Sequence, residues 1–237
     1  MFRHLYLDAL RGDGFALHYQ PICNLSTGRR VGWEALLRWP GSQLGPAEFL
    51  PQMQALGLMP EVNQWVINRV ARDLDQVPWW EWVAINISDL AGLSEQIAAV
   101  AAAGLPRERL RLEVVESLAL DGEAIATLIQ LRGEGHALEM DDFGTGWSGL
   151  DRLLALPVDA LKVDLRFVQG VATDPLKQAI CRAAISLCHG KDIRIECIAE
   201  GIECPQDRGW LLQAGCDLGQ GKLFGMPGPL PTKSPQP

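Results

Sequence analysis

The sequence lacks any stretch that reads as a membrane span. Its longest run of small apolar residues, Ile97 to Leu105, is about half of what a bilayer-crossing helix needs. The opening residues, Met1 to Asp8, carry charges too early for the apolar region of a secretion signal. No run of Lys and Arg and no basic aromatic stripe is present. With 21 basic against 29 acidic residues and a net charge of −8, the composition argues against binding to a nucleic acid polymer. The six cysteines form no C-x-x-C pair, which leaves reduced, mostly buried thiols and a cytoplasmic location as the expectation. The four histidines, His4, His18, His136 and His189, are scattered and read as surface or packing residues rather than metal ligands. There is no linker, repeat or low-complexity segment before the Pro-rich end of the chain.

What is present is an apolar share of 48%, enough for a sizeable core in one domain of 237 residues. A short helix over Leu5 to Leu10 precedes two strands, Phe15 to Ile22 and Val31 to Trp39, close enough in sequence to pair as a hairpin. Helical patterns follow at Pro46 to Leu56 and Pro60 to Gln76. Strands are then expected at Trp82–Ile87, Leu110–Val115, Ala137–Met140, Ala160–Val163, Ile193–Ala199 and Leu218–Phe224. The helices between them are expected at Leu93–Ala103, Gly122–Arg132, Ser148–Leu154, Pro175–Cys188 and Pro205–Gln213. Such alternation points to an α/β protein with a mainly parallel sheet, and this number of units to a closed barrel. Residues 1–230 are expected to form that single domain, with 231–237 a disordered tail.

Polar residues recur where these strands end: Glu34, Asn86, Glu113, Asp141 with Asp142, Lys162, Glu200 and Gln220. In a parallel barrel the carboxyl ends of the strands converge on one rim, so residues distant in sequence become neighbours. Carboxylates crowded there repel one another unless divalent cations hold them ionised. All-oxygen ligands favour Mg2+ or Mn2+ over Zn2+ or copper, and two such ions suit phosphodiester hydrolysis. Lys162 interrupts a strand between apolar neighbours; a role at the reacting phosphate or its water is preferred to a plain salt bridge with Asp164 or Asp141. The Asp141–Asp142 pair, taken alone, also fits a helix cap.

Gly144-Thr-Gly146-Trp-Ser-Gly149 matches the G-x-G-x-x-G of a dinucleotide-binding turn, with Asp164 eighteen residues beyond Gly146. Two aspartates just ahead of the glycines would repel an unaccompanied pyrophosphate, and the turn lies mid-chain, so it is read as a loop behind the acidic pair. Trp79-Trp80-Glu81-Trp82 offers either a stacking surface for a base or, preferred here, a seal of a helix against the barrel end.

Seven ordered motifs carry a resemblance. Glu34-Ala-Leu-Leu-Arg-Trp, Asn86-Ile-Ser, Glu113-Val-Val-Glu-Ser, Asp141-Asp-Phe-Gly-Thr-Gly, Leu161-Lys-Val-Asp, Ala199-Glu-Gly-Ile-Glu and Gly219-Gln-Gly-Lys-Leu-Phe-Gly resemble the EAL-domain cyclic di-GMP phosphodiesterases, from about Phe15 to Pro229. The resemblance implies a modified TIM-like (β/α)8 barrel with one antiparallel strand. It also implies hydrolysis of cyclic di-GMP to linear pGpG with two Mg2+ or Mn2+ ions per site, inhibition by Ca2+, and a homodimer whose interface lies near the loop after Asp142. Carried over by motif, Glu34, Asn86, Glu113 and Asp141 are similar to ligands of one metal, and Asp141, Asp142 and Glu200 to ligands near the second. Lys162, with Glu34 and Glu200, falls among the catalytic positions, as partner of the reacting water. Gln20, Leu36 and Arg38 match positions that contact the dinucleotide, Gln220 a supporting polar contact, and Glu116 the glutamate that anchors the loop from Asp142 to Ser148.

The chain departs from the family pattern in a short segment between Asn86 and Glu113, in Trp147 where a tyrosine is common, and in Lys222 and Met226. Three readings follow: a phosphodiesterase; a catalytically silent module of the same family that binds the dinucleotide or a protein; and a nicotinamide-dependent oxidoreductase, which rests on the glycine turn alone.

Overall fold

The turn Asn24–Gly28 folds the chain back on itself. Asn24 Oδ1 accepts from the backbone N–H groups of Ser26 (3.1 Å) and Thr27 (2.9 Å), and Gly28 takes φ 71°, a region open to glycine at little cost. The strands it joins, β1 (Ala16–Asn24) and β2 (Arg30–Arg38), pair antiparallel with Gln20 opposite Glu34. The computed structural model describes residues 2–12, 14–115, 118–144 and 149–231. Helix α1 (Phe2–Arg11) precedes the hairpin, and α2 (Pro46–Ala55) and α3 (Met59–Gln76) follow it. The remaining elements are β3 (Trp82–Ile87), α4 (Leu93–Ala102), β4 (Leu110–Val114), α5 (Gly122–Gly133), β5 (Leu138–Phe143), α6 (Gly149–Ala155), β6 (Ala160–Val163), α7 (Leu165–Val168), α8 (Pro175–Cys188), β7 (Glu196–Ala199), α9 (Pro205–Ala214) and β8 (Leu218–Gln220).

The eight strands close into a barrel in chain order. β1 is antiparallel to both of its neighbours, β2 and β8, and every other adjacent pair is parallel. This is the expected barrel with one reversed strand. Four differences from the sequence reading stand out. β5 runs on through Asp141 and Asp142 to Phe143 instead of ending before them. β7 begins at Glu196, not Ile193, and Ile193 is half exposed. β8 stops at Gln220, because the chain turns away at Gly221. A short helix, α7, follows Asp164, whose side chain accepts from the Arg166 N–H. The expected tail, apart from Pro231, lies outside the described residues.

Two apolar cores result. The larger fills the layer between strands and helices; α3 buries Val62, Val66, Ile67, Val70 and Leu74 on one face at helical spacing. The smaller, Ile22, Trp82, Ala84, Ala160, Ile198 and Leu218, lies inside the barrel. Gly32 is required there: a Cβ at that position would fall 2.3 Å from the Trp82 indole. Trp80 instead stacks on Trp33 with ring centroids 4.3 Å apart, so Trp80 and Trp82 pack in the protein while Trp79 is 40% exposed. His136 is buried against the Leu110 carbonyl, and all six cysteines are free, five of them buried. Among the described residues no helix is long and apolar enough to cross a membrane.

Candidate active site

Successive side chains of a strand point to opposite faces, so alternate residues of β2 to β8 line the barrel interior. Inward positions toward one rim carry polar groups: Glu34 within β2, Asn86 on β3, Glu113 on β4, Asp141 on β5, Lys162 on β6, Glu200 just past β7 and Gln220 on β8. The ammonium of Lys162, fully buried, sits at their centre. It contacts Glu113 directly and lies 2.7 Å from Glu200, 3.3 Å from Asp141 and 3.7 Å from Glu34. Around the rim, Gln220 Nε2 donates to Glu34 Oε2 at 2.6 Å and to Gln20 Oε1 at 3.0 Å, and Asn86 Nδ2 donates to Glu34 Oε1 at 3.1 Å. The ion pair with Asp141, ranked below a role at the phosphate in the sequence reading, is thus formed; the one with Asp164 is not, because Asp164 faces Arg166 at 2.8 Å.

Asp141 and Asp142 are adjacent, and a regular strand would send them to opposite faces. The register between β5 and β6 slips between Met140 and Phe143, and Asp142 takes φ 53°. This bulge turns the second carboxylate back toward the first. Oxygens of Asp141, Asp142 and Glu200 then lie within 4.8 Å of one another, as do those of Glu34, Glu113 and Glu200. A non-glycine residue in the left-handed region costs roughly 1–2 kcal/mol, a cost sustained here at the site itself.

Charge governs the site. Burial pushes Glu200 up to about 8, opposed by Lys162 and reinforced by Asp141 and Glu34. Burial likewise pushes Asp142 up to about 6, with Asp141 and a hydrogen bond to Asp164 adding to it. Glu113 is raised well above the usual carboxylate range, first by burial and then by its acidic neighbours against the pull of Lys162. For Lys162 burial acts downward, but Glu113, Glu200, Glu34 and Asp141 together outweigh it and hold the ammonium charged. The set fits hard divalent cations: the donors are all oxygen, two carboxylate triads share Glu200, and Glu113 Oε2 is buried without a hydrogen-bond partner.

Beside the cluster lies a cavity of about 490 Å³ whose walls include Glu34, Leu36, Arg38, Leu50, Met59 and Asn86. Leu36 and Arg38 therefore face the same space as Glu34, while Arg38 Nη1 donates to its neighbour's carbonyl, Leu37 O, at 2.9 Å. Gln20 reaches the other side of the rim, donating to the Gly225 carbonyl at 3.3 Å. Glu116 and most of the glycine turn, residues 145–148, lie outside the described residues. The sequence reading considered Asp164 only as the acid of the rejected dinucleotide turn and as an alternative partner of Lys162; it lies instead beside Asp142, and its place two residues after Lys162 was the available signal. It also missed Arg111 and Glu139, discussed below.

Comparison with known proteins bears on this arrangement. Residues 5–227 match the EAL domain family. The chain is 37% identical over 237 residues to the cyclic di-GMP phosphodiesterase NbdA of Pseudomonas aeruginosa, covering 94% of this chain and 30% of that protein. It is 35% identical over 235 residues to the probable cyclic di-GMP phosphodiesterase PdeB of Escherichia coli, covering 93% and 44%. Among solved structures, the PaMucR phosphodiesterase in complex with c-di-GMP superposes with a TM-score of 0.85 at 33% identity, covering 95% of this chain and 96% of that one. The chain spans less than half the length of the two curated relatives. With a family match over nearly its whole length and the same barrel, the chain belongs to the EAL domain family.

Proposed function

We propose that this chain hydrolyses cyclic di-GMP, opening one phosphodiester to give linear pGpG with two divalent cations per site. The observation that carries the reading is the ring of carboxylates around a single buried ammonium. Glu34, Glu113, Asp141, Asp142 and Glu200, all ionised, leave a net −4 beside Lys162, the charge that two divalent ions offset. Glu34, Asn86, Glu113 and Asp141 are the residues that would hold one ion, and Asp141, Asp142 and Glu200 the other. Mg2+ or Mn2+ bound there supplies activation of water and neutralisation of the phosphate charge.

The chain's own groups account for the rest. Once the carboxylates turn to cations, the ammonium of Lys162 loses acceptors and can hold the attacking water or the phosphate oxygen that gains charge. Gln220 and Asn86 keep Glu34 in one orientation through its two oxygens. Asp164, beside Asp142, adds to the crowding of negative charge that cations relieve. Arg38 and Leu36, on the cavity wall, and Gln20, across the rim, are the proposed contacts for a dinucleotide's phosphate and base. Ca2+ is expected to inhibit, since the larger ion takes a looser coordination. Self-association is proposed through the face around α6, where Leu150 and Leu154 are 58% and 87% exposed.

Incubation of the purified protein with cyclic di-GMP and Mn2+, followed by chromatography of the nucleotides, tests this. The expected product is pGpG. Substrate that is bound but unchanged at excess enzyme would replace the reading with a silent cyclic di-GMP-binding module.

A further inference from the structure

Below the acidic ring the barrel holds a second set of charges that the proposed chemistry leaves unused. By strand alternation Arg111 shares the inward face of β4 with Glu113, and Glu139 the inward face of β5 with Asp141. Glu113 and Glu139 are register partners across the two strands. Glu139 is 0% exposed; its Oε1 receives Arg111 Nη1 at 3.1 Å, and its Oε2 has no hydrogen-bond partner. Arg111 also reaches Glu196 at 2.6 Å and lies over the Trp82 ring, 3.8 Å from its centroid.

Stability alone gives little reason for this arrangement. The interior of a small barrel is ordinarily filled with branched apolar side chains. Replacing a buried ion pair with apolar residues is often neutral or stabilising. Here small neighbours, Gly32, Ala84 and Ala160, sit around the pair and Trp82. Charges at this depth act on what lies directly above them. Residues two apart on a strand are separated by roughly 7 Å, a distance at which a unit charge in a medium of effective dielectric about 20 changes the binding of a divalent ion by well over tenfold.

We propose that the Arg111–Glu139 pair forms an electrostatic floor that sets the divalent-cation affinity of the acidic ring, with Glu139 a positioning residue that offsets the guanidinium charge beneath the metal site. The inference rests on the metal reading above. Glu139 itself touches neither substrate nor reacting atoms. Without its carboxylate, Arg111 keeps only the half-exposed Glu196 as counter-charge, the net charge beneath the site rises by one, and cations bind less well. Without either charge, the floor returns close to its original balance.

Calorimetric titration of Mn2+ into the full chain tests the idea, with circular dichroism to confirm the barrel. Glu139→Gln is expected to weaken Mn2+ binding by at least about tenfold. The double variant Arg111→Met with Glu139→Gln is expected to recover an affinity within about threefold of the original. Equal weakening in the single and double variants overturns the proposal, because it signals disturbed packing instead of charge. Unchanged affinity in Glu139→Gln also overturns it while leaving the metal reading intact. If Glu139→Gln does not fold, Glu196→Gln decides. Its side chain is 44% exposed, and removing its charge from the far side of Arg111 is expected to weaken binding roughly twofold, with no change counting against the proposal. Failure of the unaltered protein to bind Mn2+ overturns the metal reading and this inference together.

Discussion

Lys162 Nζ lies 2.7 Å from Glu200 Oε1, joining the end of β6 to the residue just past β7 in a pairing that closes the acidic ring on one side. The lysine is 1% exposed, so its charge acts on the ring with little screening by water. Replacing it with methionine removes the positive charge and keeps most of the volume. Turnover of cyclic di-GMP is expected to fall roughly 10²–10⁴-fold, while Mn2+ still binds, because a competing cation has left the carboxylates. Product chromatography and calorimetry on Lys162→Met check both halves. Turnover within about threefold of the original would remove the lysine from the mechanism.

The raised acids make the metal-free protein sensitive to pH. With Glu200 at about 8 and Asp142 at about 6, against ordinary values of 4.5 and 3.8, the folded chain holds more protons than the unfolded chain through this window. Stability falls with rising pH wherever the native state binds the extra protons, so the contribution of these two groups favours folding at low pH and is lost as pH rises toward 8. Cations require the ionised forms. Mn2+ is therefore expected to raise the melting temperature more at pH 8 than at pH 6, measured by scanning fluorimetry. An equal or smaller gain at pH 8 would contradict the charge assignment.

Asp142 combines backbone strain with like-charge crowding. Asn tolerates the left-handed region and carries no charge. Asp142→Asn is expected to melt a few degrees higher than the original without metal at pH 8, to gain less from Mn2+, and to lose turnover. A lower melting temperature would show that the carboxylate contributes more through Asp164 than it costs beside Asp141.

Gly32 is fixed by the Trp82 ring inside the barrel. Gly32→Ala is expected to cost about 1–3 kcal/mol in urea unfolding, since the indole must move against packed strands. An unchanged midpoint would mean that the interior is looser than its contacts indicate.

How far the sequence reaches can be judged at β5. Its inward residues follow from period-two alternation, and the motif marks both aspartates. The bulge between Met140 and Phe143 is not legible, because pairing with β6 sets it, and Ala160 to Val163 lie some twenty residues on. The same holds for Lys162. Its apolar neighbours announce a buried lysine, yet three of its partners come from other strands and the fourth from just past β7, and only barrel closure brings them together. Arg111 and Glu139 escaped notice since neither stands at a strand end, and a charged residue one turn of the pleat lower gives no local signal of its depth.

The amino-acid sequence by itself determined the order and type of nearly every element, the reversed first strand through its Asn24–Gly28 turn, and which residues crowd one rim. These depend on local periodicity, turn chemistry and strand direction. Tertiary structure decided that Asp142 turns back to join Asp141, that Lys162 sits among carboxylates, and that Arg111 meets Glu139 beneath them. Each depends on register and closure, which set distances between residues that the chain keeps far apart.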